Sequence, residues 1–370
     1  MTVPSTGVSG FGRALLATAV LLVPFSAAGQ AGDESAEWGR AFGQRSLYVL
    51  HVPLLDFGPA DPELPQAGRV QWSFEAGYAN SFSHSWHAVT FHGFLGPSGT
   101  PFRRDEAERI HRDFPDETVW FVDADVLRTA LDARIGLTDT TSFSVEIPYI
   151  SHQAFTGDRF ISGFHRAFGL SQAGRGDFPE GAFVAMTQPA GGPLGFSARA
   201  PAPGFGDAVA TFGWRPPPAG SGESFGVDVA VKAPSGRARD FNGSGGWDAG
   251  ALFFLARSGA KWRVDAEASV VVPGAWKVPV AISTAPFGRA LLGITRRLGQ
   301  RTRIGASLTV GQSPFHRAGL DAVSRVGAEV ALGLERDFSR WTPRLLLTEN
   351  LAPAGDRADV GLTLGIRLRP

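Results

Sequence analysis

The stretch Asp359–Arg369, DVGLTLGIRLR, alternates without a break between two kinds of side chain. Every second position holds a large aliphatic residue: Val360, Leu362, Leu364, Ile366 and Leu368. The positions between them hold small or charged residues, namely glycine, threonine and arginine. Because successive side chains of a β-strand point to opposite faces, this pattern predicts a strand with one apolar face and one small or charged face.

Similar alternation recurs in eleven earlier stretches, each bounded by Gly, Pro, Asn or Asp. The parity changes at Val126–Leu127, which predicts a bulge there. The eleven stretches are Arg69–Tyr78, Trp120–Gly136, Ser142–Ile147, Phe205–Trp214, Ser224–Lys232, Trp247–Arg257, Trp262–Val272, Phe287–Arg297, Arg303–Gly311, Val326–Arg336 and Thr342–Glu349. An even number of strands allows an antiparallel barrel to close with both termini on one side.

The connections between these strands alternate in length. Outer-membrane barrels combine short periplasmic turns with long outer loops, so the alternation is typical of that class. The predicted turns are 137–141, 215–223, 258–261, 298–302 and 337–341. The predicted outer loops are 79–119, 150–204, 233–246, 273–286, 312–325 and 350–358. Trp120 and Trp247, at outer ends of their strands, suit an aromatic girdle. We therefore predict an all-β fold, a closed antiparallel transmembrane β-barrel of about 12 strands.

The N-terminus has the three parts of a secretion signal. Arg13 supplies a positive charge, Ala14–Phe25 is an apolar core, and residues 26–31 offer small residues for cleavage within 28–31. We predict a signal peptide over 1–31 and a periplasmic or lumen-inserted segment over 32–68. The barrel then covers 69–370 and lies in the bacterial outer membrane.

Composition excludes several classes of function. The 370 residues include no cysteine, so disulfides, thiolate metal sites and cysteine nucleophiles are absent. The formal net charge is zero, which argues against a nucleic-acid partner. The expected partners are outer-membrane lipid, the barrel assembly machinery and an unidentified small solute.

The long loop 150–204 contains a candidate plug. Within Asp158–Phe168, large apolar residues share one face at helical spacing, which predicts a short amphipathic helix. We expect residues 155–170 to pack across the outer mouth and the rest, 174–203, to be mobile. The candidate plug residues are Asp158, Phe160, Ile161, Phe164, His165 and Phe168.

At these residues the chain resembles a bacterial family designated as a domain of unknown function, number 3187. The similarity covers most of residues 45–370, with 84–117 as an insertion, and Asp158 stands where family members carry a similar Asp. The resemblance implies an outer-membrane barrel and no established activity. The fragments that carry it are Val145–Pro148, Asp158–Ile161, Phe164–Leu170, Gly206–Ala208, Lys232–Gly236 and Asp359–Val360.

Three groups of residues invite a chemical interpretation. His84, His87 and His92 could hold a metal ion only from a loop, and a solvated loop is the simpler interpretation. Ser162 and His165 are spaced to meet on one helix face, as in a lipid-acting hydrolase, but no oxyanion site is visible. The Gly-rich stretch 242–246 lacks the lysine and helix of a phosphate loop. We expect no enzymatic activity, metal or cofactor.

Charged residues occupy the parity that faces the lumen. They form either a structural network of ion pairs in a narrow barrel or a polar permeation path. The expected function is a channel or uptake barrel for small solutes, and the alternatives are a lipid-acting hydrolase and a structural or assembly barrel with a closed lumen. The lumen candidates are Arg128, Asp132, Arg134, Glu146, Asp207, Asp228, Lys232, Arg263, Asp265, Glu267, Glu329 and Arg344.

Overall fold

The computed structural model describes residues 38–95, 99–152, 163, 166, 175–217, 222–320, 323, 326–351 and 357–368. The predicted signal peptide lies outside the described residues. Among the described residues, no helix is long and apolar enough to cross a bilayer.

Fifteen strands of the described chain join in one sheet. They are β1 (Val70–His84), β2 (Val119–Gly136), β3 (Thr141–Ser151), β4 (Val184–Gln188), β5 (Gly195–Ser197), β6 (Gly204–Phe205), β7 (Val209–Trp214), β8 (Glu223–Lys232), β9 (Asp248–Ser258), β10 (Trp262–Val272), β11 (Phe287–Leu298), β12 (Thr302–Gln312), β13 (Val326–Arg336), β14 (Trp341–Asn350) and β15 (Val360–Leu368). All except the short β4, β5 and β6 form the wall of a barrel.

The wall closes because β1 pairs with β2 on one side and with β15 on the other. In the closing pair, Trp72 lies opposite Leu368 and Ala79 lies opposite Gly361. Every pairing in the wall is antiparallel. The predicted closed, antiparallel, twelve-stranded barrel is confirmed for the described residues.

The two ends of the barrel differ, as the sequence predicts. The short-turn end carries the connections 137–140, 215–222, 259–261, 299–301 and 337–340. The long-loop end carries 85–118, 152–208, 233–247, 273–286, 313–325 and 351–359. The strand faces that point away from the lumen are apolar and exposed, and Leu364 on β15 is 56% exposed. The alternation in the sequence therefore separates the outer face of the wall from the lumen.

The first long loop contains two helices, α1 (Trp86–Leu95) and α2 (Arg104–Asp113). In α2, Ala107 and Ile110 are buried and the charged positions face outward, except that Glu106 turns back and accepts a hydrogen bond from the Arg103 backbone N–H (2.8 Å). This dense mixture of charges therefore belongs to an amphipathic helix.

The second long loop is also structured. Within it, β4 pairs with β2, and β5 pairs with β4. Phe178, Val184 and Met186 pack with α1 and α2 in one apolar cluster. Residues 175–203 thus contain two short strands, β4 and β5, and several of their apolar side chains are buried against the two helices, where a mobile segment was expected.

The predicted bulge at Val126–Leu127 is wrong. The register between β1 and β2 runs unbroken from Val70–Ile135 to His84–Phe121. Residues 119–126 are instead buried on both faces, which removes the alternation that marks a half-exposed strand. This part of β2 extends beyond the rim of the wall, between the interior and the α1–α2 layer.

A bulge does occur opposite β3, in the predicted single strand Phe205–Trp214. Tyr149 pairs with Phe205, and Glu146 pairs with Val209. Three residues, 206–208, therefore face two residues of β3. A bulge of this kind re-aims a side chain, and here it turns the carboxylate of Asp207 to the interior, where that residue is buried.

Candidate functional site: the barrel lumen

Residues 38–67 precede β1 and cross the interior of the barrel as a hairpin, named the lumen hairpin below. Near the short-turn end, the Gly39 carbonyl oxygen accepts a hydrogen bond from Arg263 of β10 (2.6 Å). Near the long-loop end, the Tyr48 hydroxyl is 3.0 Å from the Ser83 hydroxyl of β1. The ascending arm therefore spans the lumen from one end to the other.

The chain reverses at residues 48–54, the tip of the lumen hairpin, and then returns. The Leu55 backbone N–H donates to Asp248 at the long-loop end of β9 (2.8 Å). Ala67 bridges to Gly136 at the short-turn end of β2. The descending arm therefore leads back to the end of the barrel at which β1 begins.

Wall side chains satisfy the backbone of the lumen hairpin. Pro59, Pro62 and Pro65 lack the N–H that strand pairing needs. The Ala60 N–H donates instead to Glu267 of β10 (3.2 Å). A buried backbone group without a partner is costly, so these polar wall residues are part of what holds the hairpin inside.

Carboxylates of the descending arm face wall arginines at the short-turn end. Asp61 Oδ2 lies 3.0 Å from Arg367 Nη1 and 4.0 Å from Arg134 Nη1. Glu63 Oε1 accepts the backbone N–H of Trp38 (2.6 Å) and thereby joins the two arms. The side chains of Asp61 and Arg367 are each only 12% exposed, so this pair is poorly screened by solvent.

The ascending arm carries the opposite charge and faces wall carboxylates. Arg40 Nη2 lies 2.5 Å from Glu75 of β1, and Arg45 Nη2 lies 3.1 Å from Glu146 of β3. Glu146 also pairs with Arg128 of β2. The lumen hairpin and the wall are therefore complementary in charge along both arms.

Two glycines of the wall form a socket for an aromatic ring. A Cβ at Gly305 or at Gly333 would overlap the Phe42 ring. The guanidinium of Arg344 lies 4.9 Å from the centre of the same ring. Only glycine leaves room for Phe42 at these two positions of β12 and β13, which explains part of the small-residue parity in the sequence.

The tip is held by apolar packing. Tyr48 stacks on Trp120 with ring centres 6.4 Å apart, and the Trp120 indole N–H donates to Ser83 (2.7 Å). Trp120 is fully buried, so its predicted place in an outer aromatic girdle is wrong. The cluster joins the tip to β2, β4 and several long loops through Tyr48, Val49, Leu50, Leu54, Trp120, Val122, Ala124, Val126, Phe183, Ala185, Phe241, Val278, Val280, Ile282, Phe315, Ala318, Leu320 and Val323.

His152 borders this apolar cluster. Its ring packs edge-on against Phe183 and Phe241. Burial lowers the pKa of His152 to about 4, although Asp240 and the backbone of Phe241 and Asp125 partly oppose the shift. The imidazole is therefore neutral at physiological pH.

A buried lysine fastens the loop 233–247 to the rim of the barrel. Lys232 Nζ donates to Asp207, to Ser244 Oγ (2.8 Å) and to the Gly246 carbonyl oxygen (3.1 Å), and it lies 3.3 Å from Asp248 Oδ2. Asp207 in turn accepts the Ser244 backbone N–H (3.0 Å). Two of the fragments that resemble the family, 206–208 and 232–236, thus meet here and build a structural anchor.

The lumen candidates chosen from the sequence lie on the inner face of the wall or, for Asp207, at its rim. Several pair within the wall, and several bind the lumen hairpin. Asp132 and Glu329 make no hydrogen bond or salt bridge in the described part of the chain. The wall pairs are Arg128–Glu146, Arg215–Asp228, Lys232–Asp207 and Arg263–Asp265. The residues that bind the hairpin are Arg134, Glu146, Arg263, Glu267 and Arg344.

The sequence did not point to the residues of the lumen hairpin that make these contacts. Phe42, Arg45, Asp56 and Asp61 lie in a segment without strand alternation, so no periodic signal marks them. One signal was available, because the inward parity of several strands contains glycine, as at Gly333. An inner wall rich in glycine leaves space that some other segment must fill.

The candidate plug residues of the second long loop lie outside the described residues. The same holds for Ser162, and therefore for the hydrolase interpretation. The candidate plug residues in question are Asp158, Phe160, Ile161, Phe164, His165 and Phe168.

The three histidines of the first long loop lie in different surroundings. His92 is buried beside Glu106 (3.2 Å) and stacks on Phe178. His87 packs against Trp86, and His84 ends β1 against Phe82. Among the described residues, no three potential metal ligands gather at one point.

Comparisons with known proteins agree with this architecture. The model of the family described as "Protein of unknown function (DUF3187)" matches residues 114–369. The expected similarity of residues 45–113 is not part of that match. No curated protein matches the chain.

The chain also matches solved structures, and the three below match it at low sequence identity. The barrel is similar to an outer membrane channel from Pseudomonas putida F1, with a TM-score of 0.51 and 12% identity over 85% of this chain and 99% of that one. A mutant of the monoaromatic hydrocarbon channel TodX gives a TM-score of 0.38 and 11% identity over 91% and 99%. The KdgM porin gives 0.37 and 8% over 68% and 95%. At 12% identity the likeness to the channel from Pseudomonas putida F1 concerns the fold alone, and nothing further is drawn from the other two.

Proposed function

This chain belongs to the DUF3187 family, and we propose that it is an outer-membrane channel for the uptake of small solutes that the lumen hairpin closes. In this proposal the short turns face the periplasm and the long loops face the outside. Its partners are outer-membrane lipid, the barrel assembly machinery that inserts it, and the solute. The sequence supports this placement through the signal peptide expected over residues 1–31.

The fold supports a channel in a general way. The similar protein from Pseudomonas putida F1 is described as an outer membrane channel. A closed wall with an apolar outer face and a charged inner face suits a passage through a bilayer. Neither point identifies a solute.

The observation that carries the proposal is the polar interface between the lumen hairpin and the wall. Buried ion pairs can usually be replaced by apolar residues at no cost in stability, and sometimes with a gain. A lumen that needs only permanent closure is therefore best filled by apolar packing. Ion pairs such as Asp61–Arg367 and Arg40–Glu75 suit a wall that water and solute contact once the hairpin has moved.

A structural barrel with a closed lumen is the second candidate. It is favoured by the extent of the contacts, since the hairpin binds residues of β1, β2, β3, β9, β10, β11, β14 and β15. The two functions differ in one respect. A channel requires that the hairpin leave the lumen, and a structural barrel does not.

A disulfide lock tests whether the hairpin must move. The native chain has no cysteine, so two introduced cysteines can pair only with each other. A Cβ at Gly43 would lie 3.5 Å from Ser307 Oγ on β12, close to the separation of about 3 Å within a disulfide. It would also lie 2.8 Å from Leu291 Cδ1 and 3.0 Å from Pro59 Cγ, so the Leu291 side chain must shift slightly to admit it. The matched control is Leu345→Cys with Leu364→Cys, because these residues lie opposite each other in β14 and β15 on the exposed outer face of the wall, so their disulfide leaves the hairpin free.

We expect the reduced Gly43→Cys/Ser307→Cys protein to conduct in planar bilayers as the wild type does. Oxidation should abolish conductance, and reduction should restore it, whereas the oxidised control should conduct normally. Normal conductance of the oxidised lock would show that solute passes without hairpin movement. No conductance from any of the proteins would establish the structural barrel instead.

The orientation is tested with single cysteines. A Cβ added at Gly93 on α1 would meet no atom of another element within 4 Å, and one added at Gly259 in a short turn would lie 3.6 Å from the Trp262 carbonyl oxygen. Cysteine therefore fits at both positions. In intact cells, an impermeant thiol reagent should label Gly93→Cys and spare Gly259→Cys. The reverse pattern would overturn the proposed orientation.

A further inference from the structure

A small cavity lies between the descending arm of the lumen hairpin and the inner faces of β11 and β12. Its volume is about 10 Å³, about what one water molecule needs. The residues that give it chemical character are His51 and Asp56 of the hairpin and Arg289, Gln312 and Arg357 of the wall and its loops. Two guanidinium groups therefore border one small space near the long-loop end.

Arg289 of β11 is held by a carboxylate of the hairpin. Its Nη1 lies 3.0 and 3.1 Å from the two oxygens of Asp56 and also donates to the Gln44 carbonyl oxygen (3.2 Å). Within the described part of the chain, Nε and Nη2 of Arg289 make no hydrogen bond. Asp56 thus uses one of the nitrogens of a guanidinium that can bind a carboxylate through two.

Arg357 has no carboxylate partner within salt-bridge distance among the described residues. It is 8% exposed, and its hydrogen bond in the described structure goes to the Gly311 carbonyl oxygen (3.1 Å). Glycines admit this side chain, because a Cβ at Gly311 would lie 2.9 Å from Arg357 Nη2 and a Cβ at Gly327 would overlap the guanidinium. The wall is therefore shaped to bring a buried cation to the cavity.

A buried guanidinium without an anionic partner is costly. Glu329 of β13 interacts electrostatically with Arg289 and Arg357, but it forms a salt bridge with neither. Arg289 and Arg357 together therefore offer more donors than the carboxylate of Asp56 can use. An anion that reaches this place satisfies donors that the closed structure leaves unused.

We propose that Arg289 and Arg357 form a binding site for a small solute that carries a carboxylate, and that Asp56 occupies this site in the closed barrel. The proposal rests on the proposed function, since solute enters as the hairpin leaves. The cavity is too small for a solute beside the hairpin, so the carboxylate of the solute takes the place of the Asp56 carboxylate.

The group that occupies the site in the closed barrel is the carboxylate of Asp56, which favours a carboxylate over other ligands. Asp56 Oδ2 accepts the Ser46 backbone N–H (2.6 Å) in addition to its contact with Arg289, so the closed structure places a planar, two-oxygen anion here. The fork of a guanidinium matches that geometry. Two arginines disfavour a cation and give a neutral solute no charged contact.

Direct binding tests the site without relying on conductance. The probes are gluconate, glucose, glucose 6-phosphate and glucosamine, which share a carbon skeleton and differ in charge. Isothermal titration of the full-length protein in detergent should show that Asp56→Asn binds gluconate at least about tenfold more tightly than the wild type, since one charged competitor is gone. Glucose and glucosamine should not bind measurably.

Removing either Arg289 or Arg357 should abolish the tighter gluconate binding of Asp56→Asn. Asp56→Asn/Arg289→Gln and Asp56→Asn/Arg357→Gln are expected to lose gluconate binding, and heat-modifiable migration on gels shows whether each barrel is folded. The matched control is Asp56→Asn/Arg301→Gln, because Arg301 is exposed in a short turn. It should bind gluconate as Asp56→Asn does.

Three results would overturn the proposal. They are equal gluconate affinity in the wild type and Asp56→Asn, unchanged affinity after loss of Arg289 or Arg357, and preference for glucose 6-phosphate over gluconate, which would make this a phosphate site. The channel itself is judged by the disulfide lock. A failed lock with intact gluconate binding, or the reverse, therefore separates the two ideas.

Discussion

Charge holds the base of the lumen hairpin at one end of the barrel, and apolar packing holds its tip at the other. At the short-turn end, Asp61 pairs with Arg367 and Arg134. At the long-loop end, Tyr48 and its neighbours in the tip pack into an apolar cluster around Trp120. The same short segment therefore meets two physically different environments within one barrel.

The difference indicates how the hairpin is released. Charged groups are hydrated by water once they separate, so the charged end can leave the wall without exposing apolar surface. Separation of the tip exposes apolar surface to water and costs free energy in proportion to its area. We infer that the tip acts as the latch and that the charged end positions the hairpin.

The largest effect is expected from Trp120→Ala at the tip. Removing a fully buried indole and its hydrogen bond to Ser83 should lower the free energy of unfolding by about 3–5 kcal/mol. Urea unfolding in detergent micelles measures this change, and protease cleavage within residues 48–54 should increase. Trp247→Ala is the control, because Trp247 is 64% exposed at the same end. Equal losses from both variants would contradict the latch.

The charged end should respond less than the tip. Asp61→Asn removes the carboxylate nearest to Arg367 and Arg134 and should lower the free energy of unfolding by about 3 kcal/mol. Because the side chains of Asp61 and Arg367 are each only 12% exposed, high salt should narrow this loss only slightly. Asp139→Asn, exposed in a short turn, should have no effect in urea unfolding. If Asp61→Asn proves as stable as Asp139→Asn, these ion pairs do not position the hairpin.

A smaller effect is expected in the middle of the ascending arm. Gly333→Ala places a methyl group against the Phe42 ring and should cost about 1–3 kcal/mol through overpacking. Gly365→Ala is the control, since the nearest atom to its new Cβ would be 3.7 Å away. In a Phe42→Ala background, Gly333→Ala should no longer lower the free energy of unfolding in urea, because the ring that the new methyl group meets is gone. If Gly333→Ala costs as much in that background as in the wild type, the socket interpretation fails.

A change of one pH unit should have the smallest effect, and it should act at the apolar cluster that holds the tip. Burial lowers the pKa of His152 from 6.5 to about 4, so an opened or unfolded form takes up a proton between these values and the closed form does not. Closure is therefore fully stable above about pH 6.5 and weakens as pH falls towards about 4. Protease cleavage within residues 48–54 should rise by at most about tenfold per pH unit over this window. His152→Phe should remove the dependence, and an unchanged profile in that variant would assign it to another group.

Much of the wall could be predicted from the sequence because its signal is local. Strands such as Trp262–Val272 and Val326–Arg336 have the predicted bounds, since alternation of apolar and polar residues reports the two environments of a barrel wall directly. The signal fails where that physical situation changes. Residues 119–126 are buried on both faces, and the bulge at 206–208 breaks the parity of one strand.

Only the wall residues of the candidate site could be predicted from the sequence. Residues such as Arg134 and Glu267 were placed in the lumen by parity, but parity cannot say what they bind. The partner of Arg134 is Asp61, and that of Glu267 is the backbone of Ala60. These partners lie in a proline-containing segment that has no periodic pattern, so only the folded chain brings them together.

The sequence by itself determined that the chain forms a barrel, how many strands it has, and which face of each strand is apolar. These properties follow from neighbours in the chain and from the two-residue repeat of a strand. The sequence left both a periplasmic and a lumen-inserted place open for residues 32–68, and only the tertiary structure decided that residues 38–67 occupy the lumen. Gln44 bonds to Thr363, 319 residues away, and a contact over such a distance leaves no trace in local periodicity. Such a contact depends on where the closed wall places its charged residues and its glycines. Those positions are fixed only in the folded chain.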